Sequence, residues 1–445
     1  MFWMRRKYIE WLYKELPVLV KEGVLTEDNA GRVREYYGEI KKDSGLTIAL
    51  IIFSIIGSLL IGSGIILLLA HNWQELPRST RAILSISPLA ASHLLGLWML
   101  IKDRFSKPWR EGVAIFNTFA VAAAIALVGQ TYHIPGNLQD FLLVWMLLIL
   151  PIVYIYRALI PAVFYVVGIT FWSGYAATRN PVEALWVVAL FAGAVPYMAI
   201  ELRRNIGSIN SALMSWTVSL CLPFSLAFAA GGNRIERLSF CLLLSSIFAV
   251  YYLAGNHWLQ GKVPLWANPY RILGSAALGI LSWLLTFGSF WNSLVRDSIG
   301  VKIIPRLFQN FPHGTLILAA FAVALGLLAI TCRKKQIRLC IFGVLPIILL
   351  AGQLIEHSLD WGWQTLVFLN LYVLTMSVTT IAAGISKRSL AVVNGGLVLL
   401  AALIAARFFD VNMPFVWRGV AFIAIGAAFL GGNIVLGRKM KEGAA

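Results

Sequence analysis

The sequence has few charged residues for its length. Only 13% of its 445 residues are charged, while 59% are hydrophobic; an ordinary soluble domain has about a quarter of its residues charged. A water-soluble core cannot bury so much apolar surface, so this composition argues against a soluble globular protein and indicates one that lies within a membrane.

The alternating apolar and polar pattern of a membrane β-barrel is also absent, since barrel strands are segments of about ten residues. Apolar runs of about 20 residues recur instead from Gly45 almost to the C-terminus, and a helix of that length crosses a hydrocarbon layer about 30 Å thick. Such helices satisfy their own backbone groups. We therefore predict an all-α, polytopic bundle of about fourteen transmembrane helices. The predicted spans are residues 46–69, 82–101, 112–130, 138–156, 158–175, 182–200, 211–230, 238–254, 271–290, 314–332, 337–355, 363–384, 390–406 and 416–436.

Cysteine is scarce, and the four present form no CxxC pair and no pattern with histidine. We interpret them as structural thiols, with a redox or metal role as the alternative. We expect no cofactor and no metal. The four are Cys221, Cys241, Cys332 and Cys340.

Catalytic signatures are missing as well. The sequence has no GxxxxGK[ST] loop, no GxGxxG after a strand, no GxSxG elbow and no HExxH helix. The extramembrane loops, of about 25 residues or fewer, are too short for a separate catalytic domain. The sequence therefore leaves enzymatic activity uncertain and does not favour it.

The first 45 residues are highly charged, so we predict no cleavable signal peptide. We predict a helical hairpin outside the membrane for residues 1–45, followed by a transmembrane domain over residues 46–445. Gly23 would end the first helix, and Thr26 would cap a second helix that runs to Ile40. The hairpin is either an amphipathic adaptor near the lipid headgroups or a domain that binds a cytoplasmic protein partner. The apolar stripe of the first helix is Ile9, Leu12, Tyr13, Leu16 and Val20.

Basic residues are abundant, and they give a formal net charge of +17. If the N-terminus is cytoplasmic, 27 of the 37 basic residues fall on the inner side of the predicted spans. This bias predicts that both termini are cytoplasmic, and it argues against nucleic acid as the partner. Two basic loops should contact anionic lipid headgroups. They contain Lys102, Arg104, Lys107 and Arg110, and Arg333, Lys334, Lys335 and Arg338.

Polar and ionisable residues gather at the predicted outer ends of several helices. They could form a substrate site, a proton relay or a metal site. The alternative is that they cap helix ends and anchor the chain at the interface, where Trp73, Trp361 and Trp363 would join an aromatic belt. The candidate residues are His71, Asn72, Trp73, Gln130, Tyr132, His133, Asp140, Glu356 and His357.

His93 is a further candidate because it lies near the middle of the second predicted span. It falls within a stripe of small residues formed by Ser85, Ser92 and Gly96. A histidine there is either hydrogen-bonded to a neighbouring helix or titrates within a pathway.

Three stretches carry a family resemblance. LLLAHNWQELPRSTR at residues 67–81 follows a KEGVLTEDNA turn, and VGQTYHIPGNLQDFLLVWMLLILP occupies residues 128–151. ARFFD at residues 406–410 and WRG at residues 417–419 are similar to the end of longer members. The chain thus resembles the bacterial predicted membrane proteins called domain of unknown function 2157. The resemblance implies a multi-pass protein of the bacterial cytoplasmic membrane with no agreed activity, and it transfers no residue roles. It favours the AHNW and GQTYH segments as candidates.

The number of spans and the six prolines within them favour a secondary transporter or a lipid-handling protein. One alternative is a structural or sensory protein that recruits a partner through its N-terminal hairpin. Another is an intramembrane transferase that acts on a lipid-linked substrate. The prolines are Pro88, Pro151, Pro161, Pro196, Pro223 and Pro346.

Overall fold

A computed structural model describes most of the chain. The described residues are 12–13, 15–37, 73, 75–102, 107–231, 236–296, 313–359, 362–387, 389–408, 416, 419, 420, 423 and 427. Throughout these residues the regular structure is helical, and no strand is present apart from an isolated bridge between Gln260 and Val263. The predicted all-α class is therefore confirmed.

The chain divides into two compact units, residues 1–81 and 82–445. In the first unit, helix α1 (residues 15–21) ends at Gly23, whose φ of 73° is the left-handed conformation that favours glycine. The Thr26 side chain then accepts a hydrogen bond from the Asn29 amide at 3.4 Å and begins α2 (Glu27–Tyr37). The Tyr13 hydroxyl donates to the Arg34 carbonyl at 3.1 Å and so joins the two helices. The position of this hairpin outside the membrane stays a prediction.

The longer helices follow. Their bounds are α3 (Arg78–Ile101), α4 (Lys107–Tyr132), α5 (Leu138–Tyr156), α6 (Leu159–Arg179), α7 (Pro181–Ala184), α8 (Trp186–Arg204), α9 (Ile209–Ala229), α10 (Arg237–Ala254, continued by a π-helical turn Gly255–Leu259), α11 (Pro269–Leu285), α12 (Gly288–Arg296), α13 (His313–Arg333), α14 (Ile337–Gly343), α15 (Leu345–Leu359), α16 (Gly362–Ser386) and α17 (Leu390–Phe408).

Ten helices in the described part of the chain are long and apolar enough to cross a membrane. The number is 11 if α11 and α12, which meet at 95°, form one broken span. A multi-pass membrane protein is thus supported, whereas the predicted total of about fourteen is not reached in the described residues. Predicted spans 46–69 and 416–436 lie outside them, apart from five positions in the latter.

Three predicted spans are not single helices. The span predicted at residues 182–200 is interrupted at Leu185, between α7 and α8. The span predicted at residues 271–290 breaks after Leu285, and its continuation turns by 95° at Gly288. The span predicted at residues 337–355 is divided at Val344 into α14 and α15. In contrast, α3, α5, α8 and α9 continue through their internal prolines. Of the six prolines, Pro346 alone lies beside one of these breaks, as the second residue of α15.

The second unit contains two hydrophobic cores. The first gathers buried residues from Met99 to Ala229, with Tyr165, Ile169 and Met146 near its centre. The second gathers buried residues from Ala230 to Leu403. The charged and polar groups around these two cores differ, and that difference locates the candidate site.

Close backbone contacts hold the helices of the second core in pairs. A Cβ atom on Gly274 of α11 would lie 2.6 Å from the Tyr252 nitrogen of α10. A Cβ atom on Gly384 of α16 would similarly lie 2.6 Å from the Val393 nitrogen of α17. Only glycine permits such an approach.

Candidate functional site

The turn between α4 and α5 holds four of the candidate residues predicted from sequence. Gln130, Tyr132, His133 and Asp140 are all exposed there. His133 has a φ of 53°, and the Ile134 amide after it donates to the Gly129 carbonyl at 2.9 Å. This is the left-handed end of an α-helix, in which His133 occupies a position usually taken by glycine.

Asp140 belongs to the cap of the next helix. The Asn137 side chain accepts a hydrogen bond from the Asp140 amide at 2.9 Å and donates to the Asp140 carboxylate at 2.7 Å. His133 and Asp140 therefore both have structural partners in one turn. These contacts are those expected from helix capping.

His93 lies off the packing face of α3. That face is formed by Ser85, Ser92, Gly96 and Met99, which are buried. His93 is exposed, and its Nδ1 atom lies 2.9 Å from the Leu89 carbonyl of its own helix. A bond from His93 to a neighbouring helix, one of the two alternatives above, is therefore not the contact observed.

The remaining candidates cannot be brought into one site. Trp73 is buried, with 5% of its surface exposed, and its place in an aromatic belt stays a prediction. His71 and Asn72 lie outside the described residues, as do the side chains of Glu356 and His357. Convergence of the outer polar residues stays a prediction. Among the described residues, no three His, Cys, Asp or Glu side chains form a group that could hold a metal ion.

The second core contains a large cavity that sequence analysis did not identify. Its volume is about 1100 Å³, at the upper end of the range for ligand pockets. Its walls come from α10 and the π-helical turn, α11, α14, α16 and α17. All of these lie in the second unit.

Four cations line one end of the cavity, and we call them the basic rim: Arg271, Lys335, Arg338 and Lys387. Each lies at or near a helix end. Three chain segments distant in sequence thus bring their cations together. Lys335 and Arg338 belong to a loop predicted to contact anionic lipid, whereas Arg271 and Lys387 were not singled out from sequence.

Local hydrogen bonds fix the start of α11, where Arg271 lies. Asn268 accepts from the Arg271 amide at 3.1 Å and donates to the Gly255 carbonyl at 2.9 Å. A Cβ atom on Gly255 would lie 2.7 Å from the Arg271 nitrogen, so glycine allows the π-helical turn to contact α11. π-helical turns occur often at functional sites.

The turn that carries Lys335 is also defined. Lys335 has a φ of 55°, and the Gln336 amide donates to the Thr331 carbonyl at 3.2 Å. The Sγ atoms of Cys332 and Cys340, on either side of this turn, lie 3.1 Å apart. All four cysteines are free thiols. Their predicted structural role is not tested by this proximity.

No carboxylate is among the described residues that line the cavity. The sequence explains this, because only Asp297, Glu356 and Asp360 are acidic between residues 237 and 408. The basic rim thus has no acidic partner in the cavity wall. The pKa of Lys387, outside the membrane-spanning helices, is lowered by burial and further by the charges of Arg271 and Arg338.

Away from the basic rim the wall is apolar. It follows α11 from Arg271 to Trp283, which at 1.5 Å per residue is a length of about 18 Å. The Trp283 indole donates to the Ala402 carbonyl of α17 at 2.8 Å near that far end. The wall hydroxyls of Ser275, Thr379 and Thr380 donate to carbonyls of their own helices, so they add little polarity.

One side of the wall is open. Ile280 of α11 and Val398 of α17 both line the cavity and are 59% and 68% exposed. Both belong to apolar helices that are long enough to cross a membrane or form part of a broken span. The arrangement can receive an elongated molecule with an anionic end and an apolar body.

Comparison with known proteins gives a family for the N-terminal region. No curated protein and no solved structure matches the chain. Residues 18–162 match the family model described as predicted membrane protein (DUF2157). The match includes the AHNW and GQTYH segments, but it ends before the cavity and before the C-terminal ARFFD stretch. The resemblance inferred from sequence is therefore shown over residues 18–162, the region by which this chain is recognised as similar to that family of predicted membrane proteins.

Proposed function

We propose that this multi-pass membrane protein binds an anionic amphiphile in the cavity of its second core, and that its function is lipid handling. One observation carries the proposal: a basic rim without carboxylates caps an apolar wall about 18 Å long. An anionic ligand stabilises cations that lie close to other cations. A hydrocarbon chain covers the apolar wall and removes its surface from water or from loosely packed contacts. Both ends of an amphiphile therefore have a matching surface.

The proposed location is the bacterial cytoplasmic membrane, with the basic rim at the cytoplasmic leaflet. The bias of Lys and Arg supports this orientation. A lipid of that leaflet would place its headgroup at the basic rim and enter sideways between Ile280 and Val398. It would not need to leave the membrane.

The test is photo-crosslinking of an anionic lipid that carries a diazirine in its acyl chain, with the purified protein in phosphatidylcholine nanodiscs. We expect labelled peptides from α11 and α17, and saturation of labelling as unlabelled anionic lipid is added. Phosphatidylcholine should not compete. Labelling spread evenly over all exposed helices would overturn the proposal.

A matched pair of glycine variants tests whether the cavity itself is occupied. Gly395 lines the cavity and Gly326 of α13 does not, and a Cβ atom at either would meet nothing within 4 Å. Gly395→Phe should fill the cavity and reduce saturable labelling about tenfold, a change of about 1.4 kcal/mol. Gly326→Phe should leave labelling unchanged while it introduces the same residue into an exposed helix position. Equal labelling in both variants would contradict binding in the cavity.

Movement of the bound amphiphile across the membrane is the second candidate, and the break between α11 and α12 favours it. Discontinuous helices are frequent in transporters. At this break the Arg407 guanidinium donates to the Thr286 carbonyl at 2.8 Å and lies 5.6 Å from the centre of the Phe287 ring. If the break acts in transport, Arg407→Gln should slow flipping of a fluorescent anionic lipid in liposomes and leave crosslinking intact. Unchanged flipping in that variant would argue against transport and leave lipid binding as the only proposed function.

A further inference from the structure

The positive charge at the basic rim exceeds what a common membrane lipid can neutralise. Arg271, Lys335, Arg338 and Lys387 line one end of a single cavity. A phosphodiester headgroup such as that of phosphatidylglycerol carries one negative charge. Since the described cavity wall supplies no carboxylate, most of the positive charge would stay uncompensated with such a lipid.

Three of the four cations are close enough to affect one another. Arg271 and Arg338 both lower the pKa of Lys387, after burial as the largest cause. These three residues come from α11, α14 and the end of α16. Their charges therefore converge on a shared volume, which a single multivalent group can occupy.

A phosphate monoester has the chemistry that matches this volume. At neutral pH it carries a charge of about −1.5 to −2, with a second pKa of about 6, and offers three terminal acceptor oxygens. Two arginines can each bind two of these oxygens in parallel, while lysines act as point charges. A diphosphate end offers still more charge of the same kind.

Resting on the proposed function, we infer that the amphiphile taken by this cavity ends in a terminal phosphate, as a lipid phosphomonoester or diphosphate. The apolar wall and the side opening between Ile280 and Val398 assign the source as a membrane lipid and not a soluble phosphate. Neutral donors at the rim, Gln260 and Gln336, complete a polar headgroup site without adding negative charge.

The test compares lipids with identical acyl chains and different headgroups in phosphatidylcholine nanodiscs. Phosphatidic acid, a monoester, and phosphatidylglycerol, a diester, compete for the photo-crosslinked site at pH 7.5 and 0.15 M salt. We expect phosphatidic acid to bind at least about tenfold more tightly, a difference of about 1.4 kcal/mol. The preference should shrink as the pH falls through about 6, because the monoester then loses its second charge.

Charge variants locate the preference. Arg271→Gln/Arg338→Gln should bring the two lipids to within about threefold of each other, because the two remaining lysines act as point charges and cannot bind two terminal phosphate oxygens in parallel. Arg203→Gln/Lys262→Gln removes two exposed cations that do not line the cavity and should retain the full preference. Monodisperse elution and an unchanged unfolding temperature establish that each variant is folded.

The outcomes separate this inference from the proposed function. Saturable binding of both lipids with equal affinity would overturn the terminal-phosphate inference and leave amphiphile binding standing. Absence of saturable binding by either lipid, with no effect of Gly395→Phe, would overturn both. If inorganic phosphate displaces the lipid at about 1 mM, a dissociation constant typical of weak binding, the ligand is a soluble anion. That result would overturn the assignment of a membrane lipid as its source.

Discussion

The two cores of the second unit differ in how the charged side chains around them are paired. Around the first core the carboxylates have partners within the protein. Glu111 accepts from the amides of Leu159 and Ile160 at 2.8 and 3.1 Å, and Glu183 accepts from Gln139 at 2.8 Å. Around the second core, four cations line a cavity whose described wall has no carboxylate. These two carboxylates of the first core are therefore paired within the protein, whereas we propose that the cations of the second core pair with an anion from outside.

The family match covers part of the first core and none of the residues that line the cavity. The GQTYH segment and the residues after it form the turn between α4 and α5, in which His133 ends one helix and Asn137 caps the next. The matched region ends at residue 162, so it describes the first core's helix connections and not the cavity.

The largest expected effect separates packing in the two cores. Gly274→Leu should destabilise the second core by about 3 kcal/mol or more, because its side chain would collide with the α10 backbone. A Cβ atom there would lie 2.6 Å from the Tyr252 nitrogen, and the backbone cannot rotate away. The measurement is the yield of monodisperse protein and its unfolding temperature in detergent.

The control for this variant is Gly326→Leu, at a position where a Cβ atom meets nothing within 4 Å. It should fold as well as the parent protein. Normal stability of Gly274→Leu would mean that α10 and α11 are not in backbone contact, and the wall of the cavity would then have to be redrawn.

The second prediction concerns Glu111, a carboxylate that has partners around the first core. Glu111→Ala should lower the free energy of unfolding by about 2 kcal/mol, because it leaves two backbone donors at the start of α6 without their acceptor. Pro161, the third residue of that helix, has no amide hydrogen, so Glu111 serves the first two donors. Denaturant unfolding in detergent measures the change.

Glu111→Gln retains one acceptor oxygen and should lose less stability than Glu111→Ala. Equal losses in the two variants would show that the carboxylate acts by charge and not as an acceptor. Glu22→Ala, an exposed carboxylate in the first unit, serves as the control for a general loss of negative charge.

Much of this fold follows from sequence, because apolar length decides whether a helix can cross a membrane. Residues 138–156 were predicted as a span and form α5 with the same bounds. The breaks at Val344 and after Leu285 were not predicted, since both segments are continuously apolar. The break at Val344 lies beside Pro346, but four other helices continue through an internal proline. A single sequence therefore does not show which proline ends a helix.

The cavity was hidden for a similar reason. Lys335 and Arg338 are visible as a basic loop, but Arg271 and Lys387 are isolated cations in sequence. Their convergence depends on how α11, α14 and α16 pack. The available signal was the scarcity of acidic residues between residues 237 and 408, which leaves the basic helix ends without partners. The outer polar residues stand out more strongly in sequence because they lie in short loops.

A third prediction compares two substitutions, one of a cation near each core, that should change protein stability in opposite directions. Arg204 lies 3.7 Å from Glu201, whose side chain is 10% exposed, so Arg204→Gln should destabilise the protein by about 1 kcal/mol or less. Arg338 is grouped with three other cations, and the described cavity wall supplies no carboxylate to pair with it, so Arg338→Gln should stabilise the lipid-free protein by roughly 0.5 kcal/mol. Unfolding temperatures in neutral detergent at low salt give both signs.

Salt provides the check on this contrast. Both effects should shrink at 1 M salt, where the Debye length is about 3 Å. If both substitutions destabilise the protein, the basic rim is not a site of unrelieved repulsion, and the opposition between the two cores fails.

The smallest effect is a change in the reactivity of Lys387. Because burial, Arg271 and Arg338 lower its pKa, a larger fraction of its amine is neutral at pH 8 than for an unperturbed lysine, and only the neutral amine reacts with an acylating reagent. In neutral detergent we expect faster acylation of Lys387 than of the exposed Lys262, followed by mass spectrometry of the peptides. A terminal-phosphate lipid should slow Lys387 alone, since a neighbouring anion favours the charged amine and raises its pKa. If the lipid slows the acylation of both lysines equally, it acts by general adsorption to the protein. The cations of the second core would then have no specific anionic ligand.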